Sequence, residues 1–68
     1  MDLNTQIQTA IRRSPYLAGR NVRFQAFHGR VVLQGQVSSY FQKQMAQEVL
    51  RGLDGVVEIV NDVQVVSV

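Results

Sequence analysis

The sequence has 68 residues, of which 46% are hydrophobic and 18% are charged, and its formal net charge is +2. This length allows one domain with a small core, and this composition is typical of a globular chain and excludes a disordered tail. The absence of cysteine excludes disulfides and thiolate metal sites, and no apolar run approaches the roughly 20 residues that a membrane-spanning helix needs.

The first predicted element is an amphipathic helix. Its apolar residues recur at the spacing of one helical stripe: Leu3, Ile7, Ala10 and Ile11. Asp2 is placed to cap the N-terminus of this helix. Ser14-Pro15 ends it, because the residue before a proline is disfavoured in the α region.

A hairpin of two strands follows, with His28-Gly29 predicted as a two-residue turn. In that register Phe24 faces Leu33 and Val22 faces Gly35, so the apolar partners share one face of the sheet. Gly29 supplies the positive φ that such a turn requires, and histidine is a residue that tolerates it.

The second helix is predicted to begin at Ser39, which has capping-box spacing to Gln42. Gly52 is predicted to follow its last turn, and Gly35 to leave room for the helix to pass close to the sheet. The predicted buried stripe consists of Phe41, Met45, Ala46, Val49 and Leu50.

The last strand is predicted from Val56 to about Val66, with an imperfect alternation. Polar Asn61 lies in the same stripe as Ile59 and Val63, so either a bulge shifts the register there or both faces are partly covered. The order of elements predicts an α+β fold: an αββαβ two-layer domain with a three-stranded mixed sheet. Strands two and three are expected to be parallel, and both helices to pack on one face.

Catalysis is not expected, and neither is a cofactor or a metal site. His28 is the only histidine and lies in the turn, at the opposite end of strand two from Ser38 and Ser39, so no base is predicted beside a nucleophile.

Nucleic-acid binding is also disfavoured. Gly52-Leu53-Asp54-Gly55 has the GxxG pattern of a loop that clamps nucleotides, but it carries an acidic residue and leads into a strand.

Two surfaces are predicted instead as contact sites. Five arginines lie in the first thirty residues, whereas all acidic residues except Asp2 lie at Glu48 or later. Arginines interleaved with an aromatic and a leucine suit an anionic lipid surface, and the predicted set is Arg12, Arg13, Tyr16, Leu17, Arg20 and Arg23. The alternative is that Tyr16 and Leu17 cap the core while the arginines are merely solvated.

Phe27 and Val32 are predicted on the sheet face opposite the helices, where they would contact a sibling domain or a second copy in a homo-oligomer.

The chain resembles the BON domain, the bacterial osmotic-stress and nodulation module. The resemblance is carried by His28-Gly29-Arg30-Val31-Val32-Leu33-Gln34-Gly35-Gln36-Val37, by Ala46, and by Gly55-Val56 with Val60-Asn61-Asp62-Val63-Gln64-Val65. It predicts one domain over residues 1–68, with a core of about 3–66.

This resemblance implies a non-enzymatic envelope or stress-related module that binds phospholipid membrane surfaces or partner proteins. The expected partners are therefore anionic phospholipid or envelope proteins, and the expected location is periplasmic or membrane-associated. The alternative is a structural module for self-association or interdomain contact within a larger assembly. The chain departs from envelope members in having one copy and no signal peptide at Met1–Gln6, so it is either not exported by that route or one domain of a longer chain.

Overall fold

The computed structural model describes residues 2–66 as five elements in the predicted αββαβ order. These are α1 (Leu3–Arg13), β1 (Asn21–Phe27), β2 (Arg30–Val37), α2 (Tyr40–Glu48) and β3 (Glu58–Val65). The strands form one mixed sheet in the order β1-β2-β3, with β1 antiparallel and β3 parallel to β2. The predicted α+β fold is confirmed. Met1, Ser67 and Val68, which belong to the predicted domain, lie outside the described residues.

Helix α1 begins and ends where its sequence signals predict. The Oδ1 atom of Asp2 accepts a hydrogen bond from the backbone N–H of Thr5 at 2.7 Å, which caps the helix. This bond stabilises the carboxylate and lowers the pKa of Asp2 below its usual range. The helix ends at Arg13, and Ser14 before the proline is extended. Ile7 is fully buried and anchors the helix on the sheet.

The hairpin has the predicted register over its whole length. Phe24 pairs with Leu33 and Val22 with Gly35, and Phe27 and Arg30 flank the turn. His28 has a φ of 52° and Gly29 a φ of 82°, which are the positive values that a tight two-residue turn needs.

Helix α2 buries Ala46 of the predicted stripe, and Leu50 is buried after its end, but the prediction that Phe41 is buried is wrong. Ser39 Oγ accepts the backbone N–H of Gln42 at 3.2 Å, which confirms the cap. The side chain of Gln42 also bonds the N–H of Ser38 and the carbonyl of Tyr16. With these bonds, Gln42 and the buried Ala46 lie on the same side of the helix, toward the rest of the domain. Phe41 lies outside that side and is 54% exposed.

The turn after α2 also differs from the prediction. The helix ends at Glu48, earlier than Gly52 implied. Gly52 does not have a positive φ, so it does not serve as the predicted left-handed residue after the last turn.

Strand β3 contains no bulge, which excludes one of the two alternatives left by the sequence. Its pairing with β2 is continuous from Glu58 to Val65, so Asn61 lies on the helix-covered face between Ile59 and Val63. There the Nδ2 group of Asn61 donates to the Lys43 carbonyl of α2 at 2.8 Å. The helix therefore satisfies the one polar side chain in an otherwise apolar stripe.

Gly35 is required for a different reason from the one predicted. A Cβ at this position, where φ is 130°, would overlap the backbone carbonyl of Asn21. The close neighbour is therefore strand β1, not helix α2. Without a side chain at Gly35, β1 can approach β2 at its first residues.

Both helices cover one face of the sheet, as predicted. The fully buried core joins Ile7 of α1, Leu50 after α2, and the strand residues Val31, Leu33 and Val63. The opposite face, which carries Phe27 and Val32, is called the open face below. Among the described residues, no helix has the length and apolar character required to cross a membrane.

Candidate functional site

Two of the predicted arginines line one groove although they are eleven positions apart in the chain. Arg12 lies in the last turn of α1 and Arg23 in the edge strand β1, and a cavity of about 330 Å³ opens between the helix and the strand. The apolar side chains of Ile11, Val22 and Phe24 line it together with Gln8. We call these six residues the basic groove. It combines two guanidinium groups with an apolar wall.

The four predicted arginines carry no ion pair within the described residues. The two ion pairs of residues 2–66 join Arg30 to Glu58 and Arg51 to Glu48. Arg12, Arg13, Arg20 and Arg23 are all exposed. Exposed guanidinium groups without an internal acid are free to bind an external anion.

Tyr16 lies in an exposed aromatic contact that the sequence did not predict. Its ring packs edge-to-face against Phe41, with centroids 4.9 Å apart and an interplanar angle of 86°. Tyr16 is 45% exposed and Phe41 54% exposed. We call these two residues the aromatic pair. Tyr16 follows Arg13 by three positions, so their Cα atoms lie within about 11 Å of each other. The aromatic pair therefore lies beside the basic end of α1.

Leu17 does not belong to this surface, and its prediction as a membrane-contacting residue is corrected. It is only 3% exposed and is part of the core cluster with Ile7 and Leu33. The backbone N–H of Leu17 bonds the carbonyl of Ser14, and this turn after α1 directs Leu17 inward while Tyr16 stays outside.

Phe27 and Val32 lie where the register placed them. Phe27 is 74% exposed and stacks on the His28 ring at a centroid distance of 4.2 Å. Val32 is half-buried in the central strand. Both side chains point away from the helices, because the buried residues Val31 and Leu33 have the opposite parity.

The described residues contain no group of three or more histidine and acidic side chains that could hold a metal ion. His28 is exposed in its turn, and its ring stacks on that of Phe27.

Comparison with known proteins agrees with this architecture. The family model for the BON domain matches residues 2–67, which is essentially the whole chain. The chain belongs to the BON domain family. BON domains are non-catalytic modules regarded as phospholipid-binding or stress-related. Searches of curated proteins and of solved structures gave no match.

Phe41 is the surface residue of this BON domain that the sequence pattern did not predict. Its apolar character and its spacing to Met45 placed it in the core stripe. The signal that could have corrected this is Gln42, which has the same spacing to Ala46 and Leu50. Gln42, Ala46 and Leu50 therefore form a stripe of their own along the helix. Because Gln42 is also the predicted capping residue, this stripe can face the sheet with Gln42 bonded at the helix start. Phe41 then lies outside the stripe.

Proposed function

We propose that this BON domain binds anionic phospholipid surfaces through the basic groove and the aromatic pair. The observation that supports this proposal most directly is the groove itself, in which Arg12 and Arg23 flank an apolar wall without an ion-pair partner among residues 2–66. A phosphate group can accept hydrogen bonds from both guanidinium groups, and the neighbouring apolar side chains can contact glycerol or the upper part of the acyl chains.

The expected affinity follows from the number of cations. Each arginine near an anionic surface contributes about 1 kcal/mol, so the four at positions 12, 13, 20 and 23 contribute about 4 kcal/mol. This alone corresponds to a Kd of about 1 mM. Shallow burial of the exposed parts of Tyr16 and Phe41 adds about 2 kcal/mol at 25 cal/mol per Å². The sum corresponds to a Kd of tens of micromolar.

The experiment is co-sedimentation with phosphatidylglycerol vesicles, compared with phosphatidylcholine vesicles and repeated as the salt concentration rises. Binding to the anionic vesicles should weaken with salt, because surface attraction decays within a Debye length of about 8–10 Å. The variant Arg12→Glu with Arg13→Glu should bind at least about 30-fold more weakly, since it removes about 2 kcal/mol of attraction and adds repulsion.

A matched control separates this surface from net charge. Lys43→Glu with Arg51→Glu makes the same charge change on and after α2, and it should reduce binding far less. Equal binding to both vesicle types refutes the proposal. It is also refuted if the control variant loses as much affinity as the Arg12 and Arg13 variant.

The aromatic contribution has its own test. Phe41→Ala should weaken binding to phosphatidylglycerol vesicles about fivefold, because it removes one half of the aromatic pair. Phe27→Ala is the control, since Phe27 is more exposed than Phe41 but lies beside the hairpin turn on the open face, opposite the helices. If both substitutions have the same effect, insertion is not specific to the aromatic pair.

A further inference from the structure

The open face is organised in rows that cross the three strands. The pairing of β2 with its two neighbours places one residue of each strand in each row. From the hairpin turn onward the rows are Phe27–Arg30–Glu58, Gln25–Val32–Val60, Arg23–Gln34–Asp62 and Asn21–Gln36–Gln64. The two central rows therefore hold an apolar pair and a pair of opposite charges.

The charges in the first and third rows behave differently. Arg30 and Glu58 are on adjacent strands and form an ion pair at 3.5 Å. Arg23 and Asp62 are on the two edge strands, separated by β2 and by about 10 Å. Neither has an ion-pair partner within residues 2–66, and Asp62 is exposed at its edge of the sheet. The third row thus presents one unpaired charge of each sign, placed symmetrically about Gln34.

We propose that the open face forms a symmetric dimer with a second copy of the chain, stacked sheet to sheet about a two-fold axis parallel to β2. This rotation exchanges β1 and β3 and keeps every row in place. Arg23 of each copy then lies opposite Asp62 of the other, which makes two equivalent ion pairs, and Gln34 and Val32 each meet their own counterparts. Such an interface is isologous, because the same residues contribute from both copies.

The dimensions of stacked sheets fit this arrangement. Packed sheets lie about 10 Å apart, a gap that an arginine and an aspartate side chain span together. Their mean strand directions differ by about 30°, so the central rows stay in register while the end rows diverge. This divergence moves the two Arg30 side chains, which lie in an end row, away from direct opposition.

The other in-plane two-fold axis is excluded by the same rows. An axis perpendicular to the strands would exchange the second and third rows, placing Asp62 opposite Val60 and Arg23 opposite Gln25. Both charges would then be covered without a partner, which costs free energy. Charge complementarity therefore selects the axis along β2.

The area of the open face sets the strength of the dimer. Three strands of about seven residues cover about 300 Å² of sheet, well below the roughly 800 Å² that each partner contributes to a standard interface. The dimer is accordingly weak, with a Kd near the millimolar range, and it forms where copies are concentrated or linked.

The test uses reciprocal charge reversal followed by sedimentation velocity and two-dimensional NMR from micromolar to millimolar protein concentration. The wild-type chain should associate, with concentration-dependent shifts at open-face residues. Arg23→Asp alone and Asp62→Arg alone should each weaken self-association at least tenfold, because each variant places like charges opposite each other at both pairs. An equimolar mixture of the two variants should associate again, since each charge of one variant then meets its complement on the other.

The control variants Arg51→Asp and Asp54→Arg make the same charge changes at exposed positions outside the open face, and they should self-associate like the wild type. A wild-type chain that stays monomeric at millimolar concentration overturns the proposal. So does a mixture of Arg23→Asp and Asp62→Arg that fails to associate, or a control that loses association equally. Asp62 is not part of the basic groove, so Asp62→Arg separates this contact from lipid binding.

Discussion

Asn61 offers the sharpest test of how the last strand is held to the helix layer. Its Nδ2 group donates to the Lys43 carbonyl at 2.8 Å and to Gln47 Oε1 at 3.4 Å. Its Oδ1 accepts the N–H of Val63 at 3.3 Å. The substitution Asn61→Asp replaces the donating group by an oxygen that faces two acceptors. The ionised carboxylate therefore loses both bonds to α2 and is repelled by the oxygens that received them.

The expected loss follows from these contacts. Each bond contributes about 1 kcal/mol, and a half-buried carbonyl left without a donor costs about 1–3 kcal/mol. We expect Asn61→Asp to lower the free energy of unfolding by about 2–3 kcal/mol at neutral pH. For a domain of this size each kcal/mol shifts Tm by about 4–8 °C, so Tm should fall by roughly 10–20 °C.

The loss should depend on pH, with a sign fixed by the same geometry. Once protonated, the carboxyl group introduced by Asn61→Asp can donate to the Lys43 carbonyl, so folding favours the protonated form and raises the pKa of that carboxyl. The restored stability is fully present below the unfolded pKa of about 3.9 and is lost as pH rises through the folded value. Thermal unfolding followed by circular dichroism from acid to neutral pH measures this difference.

The control for this experiment is Asn61→Ala, which removes the same two bonds to α2, and the Oδ1 bond from Val63, without adding a titratable group. Its loss relative to the wild-type chain should be nearly constant with pH. If Asn61→Asp is as stable as the wild type at neutral pH, the bonds from Asn61 to α2 do not stabilise the fold. The same follows if its loss of stability does not shrink in acid while that of Asn61→Ala stays constant.

Three further substitutions test the fold. Gly35→Ala should prevent stable folding or cost more than about 3 kcal/mol in chemical denaturation, because its Cβ would overlap the backbone carbonyl of Asn21; a loss below about 1 kcal/mol contradicts this. Phe24→Ala should lower the free energy of unfolding by about 2 kcal/mol, since the ring is half-buried against the core. Gln25→Ala on the open face should have almost no effect. Equal losses would contradict the assignment of Phe24 to the core face and of Gln25 to the open face. Asp2→Asn should flatten the acid limb of the stability profile, because the lowered pKa of Asp2 gives stability that is lost as pH falls through its folded value; an unchanged limb would mean that the ionisation of Asp2 contributes nothing to stability.

The hairpin was predictable from the sequence because its information is local. Alternating residues and the His28-Gly29 turn fix each pairing within a few positions, and a shift of one residue would turn every apolar side chain outward. The first helix is similarly defined by Asp2 at its start and Ser14-Pro15 at its end. Local signals of this kind do not depend on the rest of the fold.

The exposure of Phe41, and the choice between an exposed and a buried Leu17, were not predictable in the same way. Phe41 and Gln42 are each compatible with a helical stripe, and the choice between them depends on a hydrogen bond from Gln42 to Tyr16, which is 26 positions distant. Asn61 is a similar case, because its polarity contradicts the strand pattern until α2 supplies the carbonyl of Lys43. These contacts exist only after the helices have docked, so no local pattern records them.

The distribution of charge on the folded surface follows from strand order. Because the sheet order β1-β2-β3 is also the chain order, the basic first half and the acidic last third become opposite edges of one sheet. Arg23 and Asp62 show this directly, since they occupy the same row on the two edge strands. The two-fold rotation of the proposed dimer places β1 of each copy opposite β3 of the other, so the basic edge of one sheet faces the acidic edge of the other. A polarity that is only a compositional trend in the sequence thus becomes, through the topology, a self-complementary arrangement of charges.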